Sequence, residues 1–203
     1  MILAIDSSIG SAVAVVDPDT EEVLGQAQSE TSRGHAEVIG TLIRQALDAA
    51  GKTPADITAV AAGMGPGPFT GLRIGIAAAR AFAIGRGIPV IPVASHDAAA
   101  LEILEQDPEA EFVIVTDARR RENAVSAYAG LKGGLPDRIA GPDLRPHTED
   151  PQTAPALTTA IPAVQLARIA ARQLKEGTTE HLDPLYLRAP DAKIPGAVKR
   201  VST

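Results

Sequence analysis

The chain contains no cysteine and no tryptophan, and aromatic residues make up only 2% of its 203 residues. Without cysteine there is no disulfide, no thiol nucleophile and no thiolate metal site. With three phenylalanines and two tyrosines, the core must be built from Ala, Val, Ile and Leu, which the 45% hydrophobic content allows. Long hydrophobic runs are also missing: no stretch approaches the ~20 apolar residues a bilayer span needs. The start, Met1-Ile2-Leu3-Ala4-Ile5-Asp6, has no basic segment and meets a carboxylate at once, unlike a secretory signal. These features lead us to expect a soluble cytoplasmic protein. Positive charge is scarce. The net charge is −6 and the pI about 5.2, with short basic clusters only at Arg119-Arg120-Arg121 and Lys199-Arg200. A protein that grips nucleic acid alone usually carries a broad basic face, so any RNA is expected to be held mainly by a partner.

What the chain does have is a glycine-rich stretch, Gly63-Met64-Gly65-Pro66-Gly67-Pro68-Phe69-Thr70-Gly71, between an apolar run (57–62) and an Ala/Ile-rich helical segment (69–86). Strand, glycine turn, helix is an order that often cradles phosphate. The spacing fits neither common fingerprint. The turn has no Lys, as a P-loop requires, and Gly65, Gly67 and Gly71 give G-x-G-x-x-x-G rather than G-x-G-x-x-G. The helix that follows has Gly71, Gly75 and Ala79 on one i, i+4 row, flanked by Leu72, Ile76 and Ala83, with Ile74, Ala77, Ala81 and Ile84 on the other side. Its only long charged side chains before its end are Arg73 and Arg80, on one face. So apolar a helix needs cover on two sides. One cover is its own sheet; the other is a second domain or another protein.

In order, the pattern predicts strands at 2–5, 12–16 and 22–29 as an antiparallel meander, and a helix from His35 through Ile39, Leu42, Ile43 and Leu47 to a stop at Gly51. A strand at 57–62, the helix at 69–86, a strand at 90–94 and a helix at about 96–106 capped by Ser95 follow. Phe112–Asp117 then echoes Ile2–Asp6, and the strand 124–128 follows it as 12–16 follows the first. Residues 130–162 read as Pro- and Gly-rich loops with a short strand at 138–140. A helix over 163–174, a last strand at 185–187 and a loose tail after Pro190 complete the chain. Two related halves, 1–108 and a smaller 109–203, follow from the echo. This is the plan of the actin, Hsp70 and sugar-kinase group, in which two Asp-ended hairpins face a cleft.

Candidate chemistry is sparse. Asp6 and Ser8, with Asp117 in the second half, could meet a metal–phosphate in the cleft or serve as turn residues and caps. No two of His35, His96, His147 and His181 have helical or short-loop metal spacing. Ser95-His96-Asp97 has triad letters, but triad members converge from separate elements; a helix cap and first turn is the simpler reading. His35, after Arg33, could meet a partner or an anion. No catalytic set and no metal box emerges.

Together, Ile5-Asp6-Ser7-Ser8, His35-Ala36-Glu37, Gly65-Pro66-Gly67-Pro68-Phe69-Thr70-Gly71-Leu72-Arg73-Ile74-Gly75, Asp117-Ala118-Arg119 and Leu185-Tyr186-Leu187-Arg188 resemble the bacterial TsaB (YeaZ) family, collinearly over nearly the whole chain. The resemblance implies an α/β, actin-like (ASKHA, ribonuclease H-like) fold with two subdomains, the second reduced. It implies a non-catalytic subunit in threonylcarbamoyl modification of tRNA adenosine 37, pairing with the catalytic paralogue TsaD and working with the ATPase TsaE, and forming homodimers when alone. In that family both kinds of dimer use the first two helices. This maps the partner face onto His35, Ile39, Leu42, Ile43, Phe69, Leu72, Arg73, Gly75, Ile76, Ala79 and Arg80. It implies tRNA contact only through the complex, no resident cofactor or metal, and room for a nucleotide at a subunit junction. The TsaD metal motif H-x-x-x-H is absent, since Ile39 stands four residues after His35. Two departures stand out: Pro68 where the family usually has Ser, and the short, Pro-rich second half. An ATP-dependent small-molecule kinase or ATPase using Asp6 and Asp117 is the alternative; a metallopeptidase is a third reading.

Overall fold

The structure, a computed structural model, describes residues 1–29, 35–148, 157–178 and 183–188. The predicted tail after Pro190 lies outside them. Strands β1 (Ile2–Asp6), β2 (Ser11–Val16) and β3 (Val23–Ser29) form the antiparallel meander, and β4 (Ala59–Gly63) and β5 (Val90–Val93) add to it in parallel, in the order β3-β2-β1-β4-β5. Alternation with period two decides which layer each residue joins. Leu3, Ile5, Val13, Val15, Val60 and Ala62 pack against helices α1 (His35–Ala49) and α2 (Phe69–Arg86). Ile2, Ala4, Ala14, Val16, Ala61 and Val93 pack against α3 (Ser95–Leu104) and α4 (Ala163–Glu176). Because both faces are covered, β1 and β2 are buried end to end and read as unbroken apolar runs.

The second sheet, β6 (Glu111–Asp117), β7 (Glu122–Lys132) and β8 (Leu135–Pro146), is an antiparallel meander. The echo is exact in register: Asp6 faces Ala12 in the first hairpin, and Asp117 faces Asn123 in the second. This is the actin-like fold, with a second half whose sheet has three strands.

Three expectations are corrected. Residues 135–146, read mostly as loop, form a long strand; its prolines at 136, 142 and 146 are tolerated because β8 lies at the sheet edge. Residues 185–187 form no strand and run as an irregular segment. Ser95 is not the cap of α3: it is the helix's first residue, Ala94 precedes it at the cap, and its hydroxyl is used elsewhere.

The tripeptide Ser95-His96-Asp97 is the junction of the two halves rather than a triad. Ser95 Oγ donates to Asp6 Oδ2 at 2.5 Å and accepts from Gly65 N–H at 3.0 Å. His96 is fully buried, with Nδ1 2.8 Å from Ser126 Oγ and Nε2 2.9 Å from Thr116 Oγ1. Asp97 accepts from Tyr128 Oη at 2.7 Å and pairs with Arg138 at 3.2 Å. Burial, followed by the Asp97 charge, pushes the Tyr128 phenol well above its ordinary pKa, so it remains a donor. One helix start thus ties β1, the glycine loop and all three strands of the second sheet.

A cleft braced by the glycine loop, a hairpin turn and a strap

The glycine loop is held from beneath by β1's end. Asp6 is 1% exposed; its Oδ1 accepts from Ser8 N–H at 2.8 Å and Ser8 Oγ at 2.6 Å, while Oδ2 takes the Ser95 hydroxyl. Ser7 Oγ donates to Gly71 C=O at 2.6 Å and accepts from Gly75 N–H at 2.9 Å, fastening the first turns of α2. A Cβ at Gly67 would lie 2.6 Å from Ser8 Cβ, and one at Gly75 would overlap Ser7 Oγ. These glycines are needed for close approach of the chain to itself. Asp6 is therefore a brace and not a cleft carboxylate, although Ser8 does reach the cleft wall.

The row Gly71/Gly75/Ala79 also turns inward, which corrects its reading as an open docking groove. Gly71, Leu72, Gly75, Ile76, Ala79 and Ala83 are buried against the chain's own sheet, as are Ile39 and Leu42 of α1, with Ile43 half-buried. Among the residues α2 leaves outward are Arg73, Ala77, Arg80, Ala81 and Ile84, the last 81% exposed. The side chain of His35 lies outside the described residues. One consequence is measurable. Gly75→Leu should lower stability by about 2–3 kcal/mol, since the added side chain meets a fixed hydroxyl and backbone; a thermal melt indistinguishable from wild type would refute this packing.

Across from the loop stands the β6–β7 turn. Asp117, 40% exposed, accepts from Arg119 N–H at 2.8 Å and faces its guanidinium at 3.4 Å, with His147 Nε2 at 3.8 Å. So the two echoing aspartates have opposite fates, one sealed and one lining the cleft. Arg119, Arg120 and Arg121 all have positive φ, 65°, 57° and 62°. A left-handed non-glycine residue costs roughly 1–2 kcal/mol, and three in succession mark a turn that glycine or asparagine would make more easily. Arg188 holds this turn: its guanidinium donates to Ala118 C=O at 3.0 Å, to Arg119 C=O at 3.1 Å, and to Glu122.

Residues 183–188 run as a strap between the two sides. Leu185 N–H donates to Met64 C=O at 2.8 Å, and Tyr186 lies against Phe69 with ring centroids 4.9 Å apart. Arg73 covers the Phe69 ring at 4.9 Å. Two cavities open between the glycine loop and the β6–β7 turn, the first of them also lined by the strap. One of about 460 Å³ is lined by Thr70, Thr116, Asp117, Arg119, Arg120 and Tyr186 among others. The other, about 660 Å³, is lined by Ser8, Glu37, Thr70, Asp117, Arg119 and Thr158 among others. Sequence reasoning missed the strap's role, the left-handed turn and the Ser95 brace. Only the turn left a local signal, three arginines where a tight hairpin favours glycine. Among the described residues no three His, Asp or Glu side chains cluster as a metal site, and no helix is long and apolar enough to cross a membrane.

Residues 21–146 match the family model described as TsaD: tRNA N6-adenosine threonylcarbamoyltransferase. The chain is 36% identical to an uncharacterized protein of Mycobacterium tuberculosis, over 95% of this chain and 93% of that one. It is 38% identical to the tRNA N6-adenosine threonylcarbamoyltransferase of Streptococcus pneumoniae, but over 56% of this chain and only 34% of that enzyme. Its fold is similar to that of YeaZ from Pseudomonas aeruginosa (TM-score 0.73, 23% identity, 87% of this chain and 92% of that one). A second structure, described as an uncharacterized protein with similarity to peptidase YeaZ from the same organism, gives TM-score 0.77 at 24% identity, over 92% and 99% of the two chains. The chain thus spans about a third of the transferase yet superposes on the YeaZ-type chains almost end to end; it belongs to the family described as TsaD: tRNA N6-adenosine threonylcarbamoyltransferase, and its fold is similar to that of YeaZ.

Proposed function

We infer that the chain is a non-catalytic subunit in threonylcarbamoyl modification of tRNA adenosine 37, pairing with a longer, catalytic TsaD paralogue and working with TsaE. The observation that carries this reading is the use to which its polar residues are put. Asp6, Ser7, Ser8 and Ser95 are spent on bracing β1 against the glycine loop and the starts of α2 and α3, and His96 and Asp97 on joining the two halves, which leaves the cleft Asp117, Arg119 and hydroxyls, with no activated nucleophile among the described residues. The docking surface is the outward side of α1 and α2. Of the residues the family resemblance assigns to it, Arg73 and Arg80 face out, joined by Ala77, Ala81 and Ile84. An exposed isoleucine in a helix stripe of small residues is suited to burial by a second chain, either the paralogue or another copy of this one.

Ile84→Arg should leave the monomer's stability within about 0.5 kcal/mol, as for surface substitutions generally, and abolish both co-purification with TsaD and self-association. Unchanged pairing would remove this surface from the account. The alternative reading, an ATPase or small-molecule kinase, rests on the Asp117-lined cavities; calorimetry with Mg²⁺ and ATP before and after Asp117→Asn tests it.

A further inference from the structure

The end of the second sheet carries a charge opposite to that of the molecule. Arg119, Arg120, Arg121, Arg145 and Arg188 gather there against Asp117 and Glu122, a surplus of three positive charges in a chain of net −6. Arg119, Arg120, Arg121 and Arg145 are exposed, and His147, half-exposed, extends the group, its N–H bonded to Arg121 C=O at 2.9 Å. The three turn arginines sit in a backbone conformation that glycine would adopt more readily, so the turn itself gives no reason for arginine. Three of the amides around the turn are already committed. Ala118 N–H bonds Glu122 C=O, Arg119 N–H bonds Asp117, and Glu122 N–H bonds Arg119 C=O. The turn also presents exposed arginines along a hairpin tip and the neighbouring strand end, Arg119 among them paired with Asp117. Beside it stands Tyr186, 40% exposed, in a chain with five aromatic residues. Cations in a row with an accessible ring are the chemistry of RNA backbone contact with base stacking.

We propose that the β6–β7 arginine turn, with Arg145, His147 and Tyr186, is a direct contact for the RNA substrate's phosphate backbone. This deepens the tRNA-modification reading, on which it rests, and departs from the expectation that RNA is met only through partners. The contact is centred on the second sheet, and it meets the start of α2 where Tyr186 packs on Phe69.

The test is fluorescence anisotropy of a labelled tRNA transcript with the full chain, titrated across salt. Wild type should bind with micromolar affinity at 50 mM salt, and affinity should fall steeply as salt rises. The triple variant Arg119→Gly/Arg120→Gly/Arg121→Gly suits the left-handed turn, so it should melt no lower than wild type. It should bind at least tenfold more weakly and flatten the log–log salt slope by about two to three units. Arg145→Gln, outside the turn, should flatten it by about one. Equal affinity of wild type and both variants for tRNA would overturn the proposal, as would polyglutamate competing as well as unlabelled tRNA. The two ideas fail separately. If wild type stimulates reconstituted tRNA modification while the variants bind RNA unchanged, the contact is wrong and the reading survives; no stimulation by wild type sinks the reading itself.

Discussion

Asp6→Ala is expected to destabilise the fold by about 3–5 kcal/mol, as losing one partner of a buried, hydrogen-bonded charge commonly does. The carboxylate accepts from Ser8 N–H, Ser8 Oγ and Ser95 Oγ, and the Ser95 hydroxyl in turn holds Gly65 N–H. Alanine leaves these donors buried without their acceptor and loosens β1, the glycine loop and α3 together. Asp6→Asn keeps an acceptor toward Ser8 but presents an amide to Ser95, and a smaller loss follows. Urea unfolding of the three proteins checks this. A variant that unfolds like wild type but has lost affinity for Mg²⁺–ATP would instead make Asp6 a ligand contact.

Acid should loosen the junction between the halves. Burial, with the Arg138 charge adding to it, holds His96 down from an ordinary 6.5 to about 3. The folded state therefore keeps His96 neutral while the unfolded chain takes up a proton below pH 6.5. Stability from this group is fully present above pH 6.5 and is lost progressively as pH falls toward 3. At 1.36 kcal/mol per unit, the loss is about 2 kcal/mol at pH 5 and about 4–5 kcal/mol by pH 3. Glu21, held low chiefly by its hydrogen bond to Arg172, gives way only below its ordinary 4.5, so it does not contribute over the interval from 6.5 to 5. Denaturation at several pH values should show this slope in wild type and lose it in His96→Gln. A flat wild-type profile over that interval would mean that His96 is not buried neutral.

Much of the fold is legible in the sequence because its elements are periodic and locally punctuated. Helix α2 runs over 69–86 as its pattern indicates, ended by Gly87 in the left-handed conformation, and the Asp-ended echo corresponds to two hairpins in the same register. What the pattern cannot give is the direction in which an almost wholly apolar helix turns. The small-residue row of α2 looked outward on paper and lies against Ser7 in the structure. The edge strand β8 is hidden by its prolines. The site's organisation comes from long-range partners: Ser95 to Asp6, His96 to Thr116 and Ser126, and Arg188 to a turn far earlier in the chain. Spacing in sequence carries no trace of these.

The central claim is that the chain contributes a surface, and no reacting group, to tRNA threonylcarbamoylation. Reconstituted modification with the catalytic paralogue and TsaE tests it most directly, adding in turn no chain, wild type, Asp117→Asn and Ile84→Arg. The account expects background modification without the chain, full modification with wild type and with the cleft variant, and background again with Ile84→Arg. Full activity from Ile84→Arg alongside none from Asp117→Asn would place the chemistry in this chain's own cleft and contradict the account.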